Sequence, residues 1–389
     1  MSAWSTWDTR TRKFAAAAAV VLVASIAYAF ILKTGLFGDR TVTIIDDLGE
    51  AAAAAIASGA CAWAATRAGG KERLGWTLMS ISTGLWAAGE LVWSYYEVWQ
   101  QVTVPYPSLA DAGFLGAVPF AIGGIRAFWS DAARGTSASW RVWFDGLIVA
   151  IALTCTAWAF GLREVYESDS STRLLDLAYP VTDIVVGTVL ILAIRRATHQ
   201  QAGKMAFLLA GIACYSVADS AFAYLSAHGT YDSVGSVLNT GWFAGFLLIA
   251  LAATYPAEPA RATSKPARLD LWQLALPWMT LLLASAGDVY SSLTGHDIDL
   301  FMSSLTAALA LLLTVNMIIE RKEFLEMLNE IEESHSTLNR DFRTGLVGIE
   351  QFSKQMADSE QLDVAEARRL AGEINRNAER LDRLVEQML

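Results

Sequence analysis

The chain has 389 residues, of which 54% are hydrophobic and only 17% charged, with a formal net charge of −10. That composition excludes an ordinary soluble domain and is characteristic of membrane proteins. The acidic balance and the lack of any basic stripe exclude nucleic acid as a partner.

A helix needs about 20 apolar residues to cross the hydrocarbon core of a bilayer. About ten stretches qualify: 14–32, 46–67, 75–98, 107–128, 142–162, 175–194, 205–227, 234–254, 270–293 and 300–319. No Lys or Arg lies well inside any of them, and the spacers are short. The expected fold class is therefore all-α, with one polytopic helix bundle over residues 14–319 after a short N-terminal segment, 1–13. Arg10-Thr11-Arg12-Lys13, an Ala/Val-rich run and Ala27-Tyr28-Ala29 imitate a signal peptide. The apolar run is long for one and reads as an uncleaved helix.

Orientation follows from the basic residues. Starting at the N-terminus, alternate connections carry Arg10, Arg12 and Lys13; Arg67, Lys71 and Arg73; Arg126, Arg134 and Arg141; Arg195, Arg196 and Lys204; Arg261, Lys265 and Arg268; and Arg321 with Lys322. The other connections hold only Lys33, Arg40, Arg163 and Arg173. Both termini are expected in the cytoplasm, with the protein in the cell membrane.

The bundle carries signs of internal repetition. Trp86-Ala87-Ala88-Gly89-Glu90-Leu91-Val92-Trp93 lines up with Tyr215-Ser216-Val217-Ala218-Asp219-Ser220-Ala221-Phe222, so that Glu90 matches Asp219, 129 positions later. Tyr106-Pro107-Ser108-Leu109-Ala110-Asp111 is echoed by Tyr179-Pro180-Val181-Thr182-Asp183. Repeated helical hairpins in one orientation are the expectation.

Glu90, Asp111, Asp183, Asp219 and Asp288 all fall in the outer halves of their segments, and Asp46, Asp47, Glu50, Asp297 and Asp299 lie near the same face. An ionisable group in hydrocarbon costs at least about 2.5 kcal/mol at a helix centre, so it faces the bundle interior and marks function. No basic residue in that half is available to pair with them. An outward-facing acidic pocket for a cation, a cationic ligand or protons is one expectation, with Trp93 and Tyr96 among its aromatic walls. The other is plain helix capping, which suits Asp111 and Asp183, each placed one turn after a proline. Trp86, Tyr95, Trp99 and Tyr106 also fit an interfacial aromatic belt. Asp145 lies near the cytoplasmic end of its segment and belongs to neither set. Cys61, Cys155 and Cys214 are far apart in apolar segments and read as packing residues, and the four histidines are scattered. No metal site and no cofactor are expected.

From Glu320 the composition turns charged, with spaced apolar residues. Phe324, Leu328, Ile331, Leu338, Phe342, Leu346, Ile349, Phe352 and Met356 follow steps of mostly three and four. This is a coiled-coil-like seam continuous with the last membrane helix, with 320–338 as its connecting part. Asp358-Ser359-Glu360-Gln361 breaks it, and Asp363 with Glu366 opens a second helix as a capping box. Two amphipathic helices cannot bury both stripes alone. A homodimer through 320–389, forming a four-helix bundle, is the natural solution.

Within that hairpin, Asn339-Arg340-Asp341-Phe342-Arg343-Thr344-Gly345-Leu346, continued by Val347-Gly348-Ile349-Glu350-Gln351-Phe352, is followed after the turn by Ile374-Asn375-Arg376-Asn377-Ala378-Glu379-Arg380-Leu381. The region 339–389 resembles the dimerisation and phosphoacceptor (HisKA-like) domain of histidine kinases, whose H-box is usually written His-Glu-Leu/Phe-Arg-Thr-Pro/Ala-Leu. The resemblance implies that Asp341 stands where the family's acidic assistant stands, and Thr344 where its dephosphorylation residue stands. Arg343 is the H-box arginine. Arg340 occupies the place of the phosphorylated histidine and cannot accept phosphate in that way. His335, five residues earlier, lies on another helical face. No Gly-rich phosphate loop occurs in the sequence and no ATP-binding domain follows the second helix, so an autonomous kinase is not expected. The membrane half is similar, more loosely, to multi-helix input regions that precede kinase or cyclase domains in actinobacteria.

Two functions follow. The first is a membrane sensor of the two-component type, pseudokinase-like or a shortened kinase, whose partners are the bilayer, its own second copy, and a complete histidine kinase or a response regulator. The second is a secondary transporter or small-ligand-binding membrane protein with an oligomerising tail. The acids gather on one face and form no path, which favours the sensor.

Overall fold

The computed structural model describes residues 9–128, 138–158, 162–167, 172–195, 199–227, 236–256, 300–358 and 363–386, with isolated residues between 279 and 293. Among the described residues every regular element is helical. Eleven α-helices follow in order: α1 (Thr9–Thr34), α2 (Asp39–Arg67), α3 (Gly70–Ser94), α4 (Leu109–Ala127), α5 (Ala138–Ala157), α6 (Arg163–Glu167), α7 (Arg173–Arg195), α8 (His199–Ala227), α9 (Thr240–Thr254), α10 (Leu300–Asp358) and α11 (Val364–Glu386). A π-helical turn, Tyr95–Gln100, extends α3, and a single 3₁₀ turn, Val237–Asn239, leads into α9. The chain divides into two compact units, Met1–Leu312 and Leu313–Leu389.

Among the described residues seven helices are long and apolar enough to cross a membrane: α1, α2, α4, α7, α8, α9 with its 3₁₀ turn, and α10. The expected segment 75–98 is present as α3, but its Ser, Thr, Gly and Trp residues and Glu90 dilute its apolar character. The expected segment 142–162 yields only a short apolar helix, Trp143–Ala157. Segment 270–293 falls mostly outside the described residues.

In the first unit, α3 packs between α2 and α4, and α8 packs between α7 and α9. The two triplets join through α2 against α9 and α4 against α7. Close approach of the backbones is set by small residues, as is usual where no water drives helices together. The inner face of α2 is Ala53, Ala54, Ala57, Cys61 and Ala64, all buried. Between α3 and α4, a Cβ on Gly113 would lie 2.8 Å from the Leu85 carbonyl oxygen and 2.9 Å from the Gly89 backbone. Between α8 and α9, one on Gly241 would lie 2.8 Å from both the Cys214 carbonyl oxygen and Ala218. At the other end of each pair an aromatic ring covers a glycine: Phe128 over Gly75 and Tyr255 over Gly203.

α1 lies mainly against α9, where Tyr28 stacks on Phe243 with ring centroids 4.2 Å apart. Its outward residues, Val20, Leu22, Val23, Ile26 and Phe30, are exposed, the pattern of a helix that faces lipid. Charge is sorted along the bundle. Asp46, Glu50, Glu90, Asp111 and Asp219 occupy one end of their helices, whereas Arg67, Lys71, Arg126 and Lys204 occupy the other. At the basic end Lys204 of α8 pairs with Glu72 of α3.

Pro180 does not start a helix, contrary to the expectation from its position. α7 begins at Arg173, so Pro180 lies inside it and Asp183 is in mid-helix, where capping is impossible. Pro119 lies inside α4 in the same manner. Such prolines are tolerated in apolar helices because neighbouring groups satisfy the freed carbonyl.

The second unit contains the charged part of α10 and all of α11. α10 is one uninterrupted helix of 59 residues that ends at Asp358, as the seam and its break predict. Asp363 starts α11, its carboxylate accepting the Ala365 N–H at 3.4 Å. The helices meet where Leu381 of α11 covers Gly345 of α10 and Asn377 covers Gly348. Leu370 is fully buried.

Candidate functional site

The acids of the first unit converge from four elements. α2 contributes Asp46, Asp47 and Glu50, three residues that hydropathy alone places near the headgroups; all are buried, Asp46 to 1% exposure. α3 contributes Glu90 and α8 contributes Asp219, each also buried. Glu97 comes from the π-helical turn and acts on Asp46, Asp47 and Glu90 through space. Glu50 sits among Glu90, Asp46, Asp47 and Asp219. Among the described residues, the charges that act on Asp46, Asp47, Glu50, Glu90 and Asp219 include no Lys, Arg or His.

Neutral donors hold most of the carboxylates in place. Asp46 accepts from the Tyr28 hydroxyl at 2.5 Å and from the Asn239 amide at 2.6 Å. Glu90 accepts from Trp86 Nε1 at 3.0 Å, one helical turn before it. Asp219 accepts from Trp242 Nε1 at 2.6 Å, and Asp183 lies beside it. Trp86 also meets the Tyr215 and Phe246 rings, which close the site on the side of the bundle interior. Three oxygens of these acids are different: Glu50 Oε1, Asp47 Oδ2 and Asp183 Oδ2 are buried and have no hydrogen-bond partner among the described residues. An unmade bond at a buried polar group is costly.

The remaining expected residues divide. Asp111 is the acidic member of a capping box: the Ser108 backbone N–H donates to its Oδ2 at 2.6 Å, and Ala110 N–H donates to the Ser108 hydroxyl. Its other oxygen accepts from Tyr179 of α7 at 2.5 Å. Asp111 is thus bonded on both sides and serves as a cap and a tie. Tyr179, from the segment that echoes Tyr106–Asp111 in sequence, is a bonding partner of Asp111. Burial, with Asp176 as hydrogen-bond partner, pushes the Tyr106 phenol above its usual range. Trp93 donates to Glu97 at 2.7 Å, and Tyr96 lies in the π-helical turn beside Tyr95. Asp288, with Asp297 and Asp299, lies outside the described residues. Asp145 lies in the first part of α5, apart from the cluster.

Among the described residues no group of three His, Cys, Asp or Glu converges well enough to hold a metal ion. Asn239→Leu removes one of the donors to Asp46 from across the α2–α9 contact. An expected loss of about 1–3 kcal/mol follows from the unmade bond. Thermal unfolding of the full chain in detergent measures it, and an unchanged midpoint would show that the contact carries no weight.

In the second unit the H-box-like residues line an open groove of about 630 Å³ formed by Ser336, Asn339, Arg340, Arg343, Thr344 and Val347. Arg340 and Arg343 are exposed, and the Thr344 hydroxyl donates to the Arg340 carbonyl at 2.8 Å. Asp341 points the other way and pairs with Arg380 of α11 at 3.8 Å. On α11, Arg376 beside Glu373 holds that carboxyl below its ordinary range. Phe324, Leu325, Leu328 and Ile331 are exposed, and so are Leu346 and Val347. One copy of the hairpin leaves this apolar stripe uncovered. No family model, no curated protein and no solved structure matches the chain.

Proposed function

We propose that the protein is a polytopic membrane sensor of the two-component type, with its output in a dimeric, histidine-kinase-like helical hairpin that has lost its phosphoacceptor. The carrying observation is α10 itself. One unbroken helix starts in an apolar span and ends in the H-box-like residues, with an exposed apolar stripe along its polar half. A helix of this kind that ended in a monomer would expose that stripe to water, which soluble surfaces avoid. A second copy supplies the missing face and makes a four-helix bundle.

In this reading about ten spans cross the cell membrane, both termini are cytoplasmic, and the acids face outward. An event at the acids biases the bundle, and the hairpin passes the bias to a complete histidine kinase or a response regulator. The replacement of the histidine by Arg340 makes the hairpin an adaptor and not a phosphate carrier. The test is co-purification of the full chain from membranes with the histidine kinases and response regulators of its host. Capture of one of them, lost in Arg343→Glu while dimerisation persists, is the expected result. Capture of neither class, in a preparation where the dimer is intact, would overturn it.

A second function, secondary transport, is favoured by the buried acids between α2, α3 and α8. It predicts ion-driven uptake in proteoliposomes containing the full chain, whereas the sensor predicts none above protein-free vesicles.

A further inference from the structure

We infer that α2–α4 and α7–α9 are two copies of one three-helix unit, and that Glu50, Glu90 and Asp219, gathered where the copies meet, form a buried proton-binding site. This assignment rests on the acids being the sensing site and is independent of what the hairpin binds.

The duplication is carried by geometry at matched positions. Gly113 of α4 lies on the Leu85 carbonyl and on Gly89 of α3; Gly241 of α9 lies on the Cys214 carbonyl and on Ala218 of α8. Leu85 and Cys214 are 129 positions apart, as are Gly89 and Ala218. Glu90 and Asp219 have the same separation and each follow the crossing by one residue. The aromatic-over-glycine contacts, Phe128 on Gly75 and Tyr255 on Gly203, repeat at nearly the same spacing. The contacts between copies also come in a matched pair. α2 meets α9 through Asp46 and Asn239, and α4 meets α7 through Asp111 and Tyr179, with Asp111 and Asn239 at equivalent places 128 positions apart. Trp86 and Tyr215, equivalent by the 129-residue spacing, touch each other with centroids 5.7 Å apart. The axis relating the copies therefore passes close to these rings, and Glu90 and Asp219 are brought within reach of each other beside it.

Glu50 of α2 enters between them. Its Oε1 is buried and has no hydrogen-bond partner among the described residues. The groups that face it are Tyr28 from α1, Asp46 and Asp47 from α2, Glu90 from α3 and Asp219 from α8. α9 contributes only the neutral donors Asn239 and Trp242, and Glu97 and Asp183 lie one step further out. Among the described residues these ionisable neighbours are all acidic or phenolic. Several negative charges cannot share such a space without a compensating positive one. A coordinated metal ion lacks the converging ligands described above. A proton needs neither a coordination sphere nor a cavity, and it supplies the hydrogen-bond donor that Glu50 lacks.

The test is infrared difference spectroscopy of the full chain in lipid nanodiscs, titrated with acid and alkali in potassium or in sodium buffer. A carboxylic-acid C=O absorption at neutral pH, lost on alkalinisation, reduced in Glu50→Gln and again in Asp219→Asn, and indifferent to the exchange of potassium for sodium, is expected. Each variant is first checked for retained helicity by circular dichroism, and Glu90→Gln replaces whichever fails. Absence of that absorption at neutral pH, its persistence at full strength in the folded variants, or its removal by sodium alone would each overturn the proton site. None of these outcomes touches partner capture by the hairpin, so failure here and failure of the sensor function are separable.

Discussion

Gly113→Val abolishes the folded bundle. The added Cβ would press on the Leu85 carbonyl and on the Gly89 backbone at under 3 Å, and neither can rotate away as a side chain could. Ordinary overpacking costs about 1–3 kcal/mol because side chains adjust. Here only separation of α3 from α4 relieves the contact, which would also displace Glu90 and the α4–α7 tie. The expected effect is at or above the upper end of that range, seen as a fall of the apparent Tm of the full chain in detergent or as loss of the monodisperse species. Gly245→Val, pressing on the Gly211 carbonyl of α8, is expected to do the same on the other side of the bundle. Gly116→Ala is the control. Nothing lies within 4 Å of its Cβ position, and alanine favours a helix by about 1 kcal/mol. A Gly113→Val protein as stable as Gly116→Ala would disprove the close crossing.

Leu370 and Leu346 are expected to fail in opposite ways. Leu370 is fully buried within the hairpin, so Leu370→Ala opens a cavity and costs about 2–5 kcal/mol of its stability. Leu346 is 56% exposed in one copy, so Leu346→Glu leaves the single hairpin helical but places a charge in the stripe that a second copy covers. Light scattering of the full chain in detergent should then show monomer for Leu346→Glu where the parent is dimeric. For Leu370→Ala, proteolysis should be accelerated within 320–389. A dimer that survives Leu346→Glu would place the interface elsewhere.

These residues show what can be read from sequence and what cannot. The helical nature of the whole, the break at Asp358 and the new start at Asp363 are written in apolar spacing and in capping chemistry, both local. The inferred equivalence of Glu90 and Asp219 rests on neighbours that keep their order in the sequence. The burial of Asp46, Asp47 and Glu50 is invisible locally. They stand in the first half of a helix, near where acids normally meet water, and the packing of α1, α3 and α9 against α2 removes it. Pro180 misleads for a related reason. Proline is at home in a first turn, and nothing nearby in sequence indicates that α7 has already run from Arg173. Gly345 and Gly348 stand inside a motif that draws attention to Arg340 and Thr344. Their use, admitting Leu381 and Asn377, depends on a helix that comes later in the chain.

The inner face of α2 carries a consequence for how this protein can vary. Ala53, Ala54 and Ala57 are already close to the smallest side chain there is, and they are buried against neighbours at near-zero exposure. In a core of leucines, chance mutation trims as often as it enlarges, and losses at one site can be offset by gains beside it. At these alanines, glycine is the sole way down and every other exchange adds atoms to a filled space. Drift along this helix is therefore ratcheted: change must come as paired exchanges, a larger residue on α2 answered by a smaller one on the helix it faces.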